Sequence, residues 1–299
     1  MTGSSENTPW VLGRGAFWLE HVKVRQRIFQ KISGDPKKDA YLFLIDFLKK
    51  QGVQLPLERA LTIGCGAGNI ERGVAKYPLV SIHDACDINK EAITRAKELA
   101  KLAGLSHINY FVADANKLKL EPDKYDLVIG QHSFHHLVAL EDIYAQIAGS
   151  LKRKGFLFLN EFIGPTRFQW TDRQLEVVNA ILRILPEKYR RTTTGRLKER
   201  VERLSVAKML MIDPSEAVRS SELVPTLYRY FDIVERRDYG GTLLHTLLAD
   251  IAVNFTHASL DEEFLDIIFR LEDALLATGD LPSDFAVIIA KRKEEDSKQ

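Results

Sequence analysis

The stretch Ala60-Leu61-Thr62-Ile63-Gly64-Cys65-Gly66-Ala67-Gly68 is an apolar run that ends in alternating glycines. Glycine has no Cβ, so the chain can turn sharply there and a ligand can approach the backbone closely. A helix that follows such a turn offers unpaired N–H groups at its start. A plain tight turn is the competing reading, and three alternating glycines behind an apolar strand make it the weaker one. The dinucleotide fingerprint G-x-G-x-x-G does not fit, because Asn69 follows Gly68 and the third glycine falls at the wrong spacing.

Two carboxylates accompany the turn. Asp87 lies within Asp84-Ala85-Cys86-Asp87-Ile88-Asn89, about 20 residues past the glycines. A carboxylate there can accept both hydroxyl protons of a ribose. Asp84 is the rival if the strand ends early. Asp114 follows Phe111-Val112-Ala113. It is placed to accept a proton from an adenine amino group, with the next backbone N–H at a ring nitrogen. Taken alone, it reads as the cap of the next turn.

The elements that must position these residues alternate between strand and helix, the pattern of a parallel sheet covered on both faces. Short apolar runs predict strands at Ala60–Ile63, Val80–Cys86, Ile108–Val112, Leu127–Gly130, Phe156–Leu159, Phe231–Arg237 and Phe285–Ala290. Apolar spacing of about 3.6 predicts helices. One holds Tyr41, Leu44, Ile45 and Leu48; a second Ile93, Ala96, Ala100 and Ala103; a third Leu140, Ile143, Tyr144, Ile147 and Leu151. After residue 161 the rhythm changes. Residues 171–186 and 196–212 predict two helices with no strand between them, and 215–230, 242–257 and 261–277 predict three more. Leu175, Val178, Ile181, Leu182 and Leu185 line one face of the first of these, so it packs as a cap over the sheet.

Five motifs in order over residues 60–161 resemble the class I S-adenosylmethionine-dependent methyltransferase family. They are the glycine turn, the stretch from Cys86 to Ala96, and Phe111 to Asn116. The fourth is Tyr125 to Gly130, opening into Gln131-His132-Ser133-Phe134-His135-His136. The fifth follows Lys152-Arg153-Lys154-Gly155 and ends at Asn160-Glu161. The resemblance implies an α/β fold: a Rossmann-like, doubly wound sheet of about seven strands with an inserted helical lid and an N-terminal helical cap. It implies S-adenosyl-L-methionine as cofactor. The implied contacts come from Gly64, Cys65, Gly66, Gly68, Asp87, Ile88, Asp114, Ala115, Gln131, His132 and His136. Trp18 would fold over the cofactor from the segment before the first strand, with core packing as the even alternative. The match departs at Thr62, where many relatives carry an acidic residue that helps hold the cofactor's amino group; Glu71 is the candidate substitute. Beyond residue 161, the stretches Phe168 to Leu175, Asp213 to Arg219 and Tyr239 to His245 resemble a bacterial subgroup associated with sugar and secondary-metabolite modification.

In methyl transfer the donor is already activated, so an enzyme mainly positions the acceptor and excludes water. A general base is needed only if the acceptor keeps its proton until attack. Candidate bases are His132 and His135 after strand four, Glu161 at the end of strand five, and His245 after the Gly240-Gly241 turn. Arg173 and Arg219 are candidates for an anionic acceptor such as a nucleotide sugar, against a solvated helix arginine. Trp10 and Trp170 are candidate pocket walls. His135 and His136 are adjacent and point apart on a helix, and no third ligand stands at metal spacing, so no metal is expected.

With 42 Lys and Arg against 41 Asp and Glu, the formal net charge is +1. No cationic field therefore points to nucleic acid or an anionic membrane as partner. No apolar run reaches membrane-spanning length, the first residues lack a signal-peptide core, and Cys65 and Cys86 suggest no disulfide framework. The expectation is a cytoplasmic monomer or homodimer acting on a small molecule. Its expected organisation is a tail over 1–9, an N-terminal helical cap over 10–55, and a cofactor-binding core over 56–164. A helical lid over 165–212, the rest of the core with inserted helices over 213–291, and a charged tail over 292–299 follow. A methyltransferase acting on a peptide, protein or nucleic acid is one alternative. It lacks the Asn/Asp-Pro-Pro-aromatic sequence of base-amino enzymes after strand four, and any basic cluster tracking a phosphate backbone. A nicotinamide oxidoreductase is opposed by the glycine spacing, and a non-catalytic module by the intact turn and Asp87.

Overall fold

The computed structural model describes residues 18–256 and 258–293. Trp10, the expected tail over 1–9 and residues 294–299 of the expected tail over 292–299 lie outside them. Seven strands form one sheet: β1 (Leu57–Ile63), β2 (Val80–Asp87), β3 (Ile108–Val112), β4 (Tyr125–Gln131), β5 (Leu151–Phe162), β6 (Phe231–Gly240) and β7 (Phe285–Arg292). Their order is β3-β2-β1-β4-β5-β7-β6. The pairs β1–β2, β1–β4, β2–β3 and β4–β5 are parallel. This is the Rossmann-like α/β sheet that the alternation predicts, and β3 has the predicted bounds.

The helices are α1 (Val22–Ser33), α2 (Ala40–Lys50), α3 (Asn69–Val74), α4 (Lys90–Leu102), α5 (Leu140–Ser150) and α6 (Asp172–Ile184). They continue with α7 (Glu187–Arg190), α8 (Val206–Ile212), α9 (Leu223–Leu227), α10 (Leu244–Leu248) and α11 (Ser259–Ala277). None is long and apolar enough to cross a membrane.

The chain packs as two compact units. One contains residues 39–163, 217–237 and those from 286 onward. In it the strands are apolar in succession rather than alternately, because both sheet faces are covered: Leu127, Val128 and Ile129 of β4 are all buried. The α5 stripe of Leu140, Ile143, Tyr144 and Ile147 joins Phe134, Leu157, Leu159 and Phe231 in its main core cluster. α2 is capped by Asp39, whose side chain accepts from the N–H groups of Tyr41 and Leu42.

The other unit contains residues up to 38, 164–216 and 238–285. Here α6 starts with a capping box from Thr171 and Gln174. The helix predicted over 196–212 is confined to 206–212, because tertiary partners hold the preceding residues in non-helical form. Lys198 Nζ donates to the carbonyls of Thr246, Leu247 and Ala249 at 2.7, 3.2 and 2.7 Å. The Asn179 amide takes both backbone groups of Val201, at 2.7 and 3.0 Å. Gln169 takes the Leu204 carbonyl. A helix would have paired those backbone groups internally. The helices predicted over 215–230 and 242–257 likewise shrink to the short α9 and α10. Pro225 brings no N–H to the first. In the second, Lys198 takes the carbonyls of Thr246 and Leu247 within α10 and of Ala249 just after it, and Asp250 adopts φ +64°.

Candidate functional site

Register brings the strand ends to one edge. Ile63 aligns with Cys86 and with Gly130, Asp87 with Val112, and Gln131 with Asn160. The glycine turn, Asp87 and the loops after β3 and β4 are thereby neighbours. Gly64 and Cys65 both donate their N–H to Cys86 O, at 2.8 and 3.0 Å. Gly64 has φ +74°, and a Cβ there would come within 2.4 Å of the Ser133 Cβ, so the close approach of the β4 loop requires glycine. Gly66, at φ +52°, differs: an added Cβ would meet nothing within 4 Å. The turn is packed from one side and open at its middle.

Asp87 locks that turn. Its Oδ2 accepts from Gly66 N–H and its Oδ1 from Asn89 N–H, both at 2.8 Å. Each oxygen keeps acceptor capacity for a further donor. The rival Asp84 is engaged inside the sheet by Arg59 at 2.8 and 3.1 Å, and by Asn109 and Tyr125. Burial pushes its carboxyl upward, but these partners hold it below the usual range. Asp114 caps the turn after β3, its Oδ1 accepting from both nitrogens of Asn116. Next to these carboxylates, Ala115 is half-buried and Ile88 is 66% exposed.

The loop after β4 is fixed by Glu161, which is fully buried. Its Oε1 accepts from the N–H groups of Ser133 and Phe134 at 2.5 and 2.7 Å, and its Oε2 meets His135 Nδ1 at 2.8 Å. Burial pushes its pKa up, yet the His135 charge and these bonds hold it below the usual range. Glu161 was a candidate base. With both oxygens engaged by donors, it orients a loop and an imidazole instead. His132 sits at φ +50° and donates its N–H to Asn160 O. Burial lowers its imidazole to about 4, so it is neutral near pH 7. The His136 ring lies 4.3 Å from that of His135. Gln131 Oε1 accepts from the Tyr41 hydroxyl at 2.5 Å. Tyr41 reads in the sequence as one of a helix's apolar positions. Its place in the first turn behind the capping Asp39 is the signal that aims it at the site.

The remaining candidates are Trp18, Trp170, Arg173, Arg219 and His245. In the unit holding residues 164–216, Trp18 is 1% exposed and packs on His245 and Phe285, with centroids 5.9 and 5.4 Å away. Phe168 stacks on Trp170 at 5.0 Å, and His245 stands edge-on to both at 5.4 Å. The core-packing alternative for Trp18 is the one realised, and His245 shares that aromatic cluster. The cluster borders a cavity of about 190 Å³ lined by Trp170, Met209 and His245 on one hand and by Lys198, Glu202 and Asp250 on the other. Arg173 is engaged by Asp280 and Glu176 at 2.8 and 2.9 Å. In the sheet unit, Arg219 grips Glu141 at 2.7 and 2.9 Å and Glu222 at 2.6 Å. Neither guanidinium is presented to an anionic ligand; carboxylates occupy both forks.

Residues 61–159 match the family profile described as a methyltransferase domain. Curated relatives match part of the chain. Cycloartenol-C-24-methyltransferase 1 of Oryza sativa subsp. japonica is 34% identical over 107 residues, 36% of this chain and 31% of its own. Squalene methyltransferase 2 of Botryococcus braunii is 28% identical over 126 residues, 41% of this chain and 32% of its own. The chain thus spans under a third of the first and about a third of the second. Among solved structures, phosphoethanolamine N-methyltransferase 2 of Haemonchus contortus, in complex with S-adenosyl-L-methionine, superposes with a TM-score of 0.52 at 14% identity. The overlap covers 97% of this chain and 59% of that one. Geranyl diphosphate methyltransferase, in complex with the same cofactor, gives 0.50 at 14% identity over 88% and 95% of the two chains. At these identities the likeness shows the fold.

Proposed function

We propose that the chain is an S-adenosylmethionine-dependent methyltransferase acting on a small-molecule acceptor. The observation that carries this reading is the placement of Gly66, Asp87 and Gln131 on one sheet edge, within the segment that matches the methyltransferase domain. The donor set suits that cofactor. Gly66 leaves its open side to a close-lying ligand. Asp87 retains acceptor capacity for ribose hydroxyls, Asp114 with the Ala115 N–H suits an adenine edge, and the exposed Ile88 offers it an apolar face. The cofactor, when bound, supplies a methyl group on a sulfonium. The protein's part is to orient and to exclude water. Where the acceptor must lose a proton, His135 takes it, with Glu161 at Nδ1 holding that ring in place.

The acceptor is apolar in this reading, rather than a nucleotide sugar. The names of the relatives include sterol and squalene methyltransferases. Arg173 and Arg219, which phosphates would need, are already paired. Incubation of cell extracts with methyl-labelled cofactor tests the proposal. Label should enter an organic-soluble small-molecule fraction. Label found only in protein or nucleic acid would reject the acceptor class.

A further inference from the structure

The start of β5, the end of β7 and the start of β6 lie side by side in the sheet and line an open cleft of about 960 Å³. β5 contributes Arg153 and Lys154, β6 contributes Asp232, and Lys291, Arg292 and Lys293 come from the end of β7 and the residue after it. Lys291 stands over the ring of the buried Phe156, 4.9 Å from its centroid. The two-residue alternation of a strand puts Lys154 on the face of Phe156, and Lys293 on the face of Lys291. Three ammonium groups are thus gathered on one side of the sheet.

The cations at this end of the sheet are not equivalent. Lys152 is engaged by Glu58 and Asp126 at 2.6 and 3.0 Å and does not line the cleft. Arg292 meets Asp123 at 3.0 Å. Lys154, Lys291 and Lys293 have no carboxylate partner among the described residues. Like charges gathered in one concave site raise its potential and draw in anions. The chain carries a formal net charge of only +1, so this charge is local.

We propose that the cleft is a binding site for a short chain of condensed phosphates, either free or carried as the tail of a nucleotide. Lysine ammoniums are point charges that meet phosphate oxygens from several directions, and Arg153 and Arg292 add planar forks. Cations spread over two neighbouring strands match several consecutive phosphates. No aromatic side chain lines the cleft for a base to stack on, so the phosphates are what it reads. The cations are confined to one concave site. They form neither the long track that a polynucleotide backbone needs nor the flat field that suits an anionic membrane. Asp232 opposes the anion and keeps its hold moderate. Lys154 precedes Asn160, at the glycine-turn edge, by six residues of β5, or about 20 Å. The phosphate site therefore works apart from the cofactor site, and it does not depend on the cofactor reading.

Calorimetric titration of the whole chain with tripolyphosphate tests this. One site per chain should appear, and its affinity should fall as salt is added. Lys154→Gln and Lys291→Gln should each weaken binding about tenfold with unchanged melting temperatures. Asp232→Asn should tighten it severalfold, which general charge attraction to the rest of the surface would not do. ATP separates the two sources: much tighter binding than tripolyphosphate assigns the cleft to a nucleotide, and equal binding assigns it to the phosphate chain alone. The inference is overturned if tripolyphosphate binds no better than sulfate at equal ionic strength, or if the lysine variants bind as wild type does. It is also overturned if S-adenosylmethionine displaces the phosphate chain, or if duplex DNA or phosphatidylglycerol vesicles bind through these lysines more tightly. Glu294, Glu295 and Asp296 follow Lys293 in the sequence. If binding appears only after they are changed to Gln, Gln and Asn, the cleft belongs to the chain's own acidic segment and the inference fails.

Discussion

The turn after β4 and the turn after β1 each rest on a fully buried glutamate, Glu161 and Glu71. In the first, two backbone N–H groups and an imidazole meet the carboxylate within 2.8 Å. In the second, one oxygen has a weak hydroxyl contact and the other has no partner. The same residue type at the same sheet edge therefore does two jobs. A saturated buried carboxylate fixes a loop. An unsaturated one is a stability liability.

The largest expected effect comes from breaking the saturated case. Glu161→Ala leaves the N–H groups of Ser133 and Phe134 and the His135 ring without their acceptor. Removing one partner from a buried charged cluster costs about 3–5 kcal/mol. Urea unfolding should show a lower midpoint with an unchanged slope. A variant as stable as wild type would erase the distinction between the two turns.

Glu71→Gln should act in the opposite direction. Glu71 titrates at about 7 in the folded protein, against about 4.3 for an unfolded glutamate. Between those values the folded state holds more protons, so this group's contribution to stability falls as pH rises from about 4 to 7. The span corresponds to at most about 4 kcal/mol. The glutamine variant does not ionise. Its stability relative to wild type should climb through that window and level off above pH 8. A difference that stays constant with pH would show that Glu71 does not titrate in that window.

The smallest effects belong to the paired arginines. Arg219→Ala removes ion pairs to Glu141 and Glu222 at a partly exposed site, and should change stability by no more than about 1 kcal/mol. Arg173→Ala should leave both cofactor affinity and turnover unchanged. Loss of turnover with normal stability in either variant would restore an anion-binding role and contradict an apolar acceptor.

The contrast also explains what was legible in the sequence. The strands β1 to β5 were readable because a parallel sheet buried on both faces needs unbroken apolar runs, such as Leu127-Val128-Ile129. The segment 196–205 has good helix-forming residues, yet Lys198, Val201 and Leu204 are committed to groups far along the chain. No local pattern encodes those partners. The contact of Asp87 with the glycine turn follows from the strand order, which sets β2 beside β1. That of Tyr41 with Gln131, 90 positions away, was not legible in the sequence. Glu161 looked like a base because its type and place allowed it. Only the geometry reveals that both its oxygens are taken.

The most direct test of the whole account is a titration of S-adenosylmethionine into wild type and Asp87→Ala, with a chelator present and a nicotinamide cofactor as the control ligand. The account predicts one saturable site per chain without metal. Loss of a charge-assisted contact worth about 1.5–3 kcal/mol should weaken it at least about tenfold in the variant. Binding of the nicotinamide cofactor in its place, or equal affinity in both proteins, would contradict it.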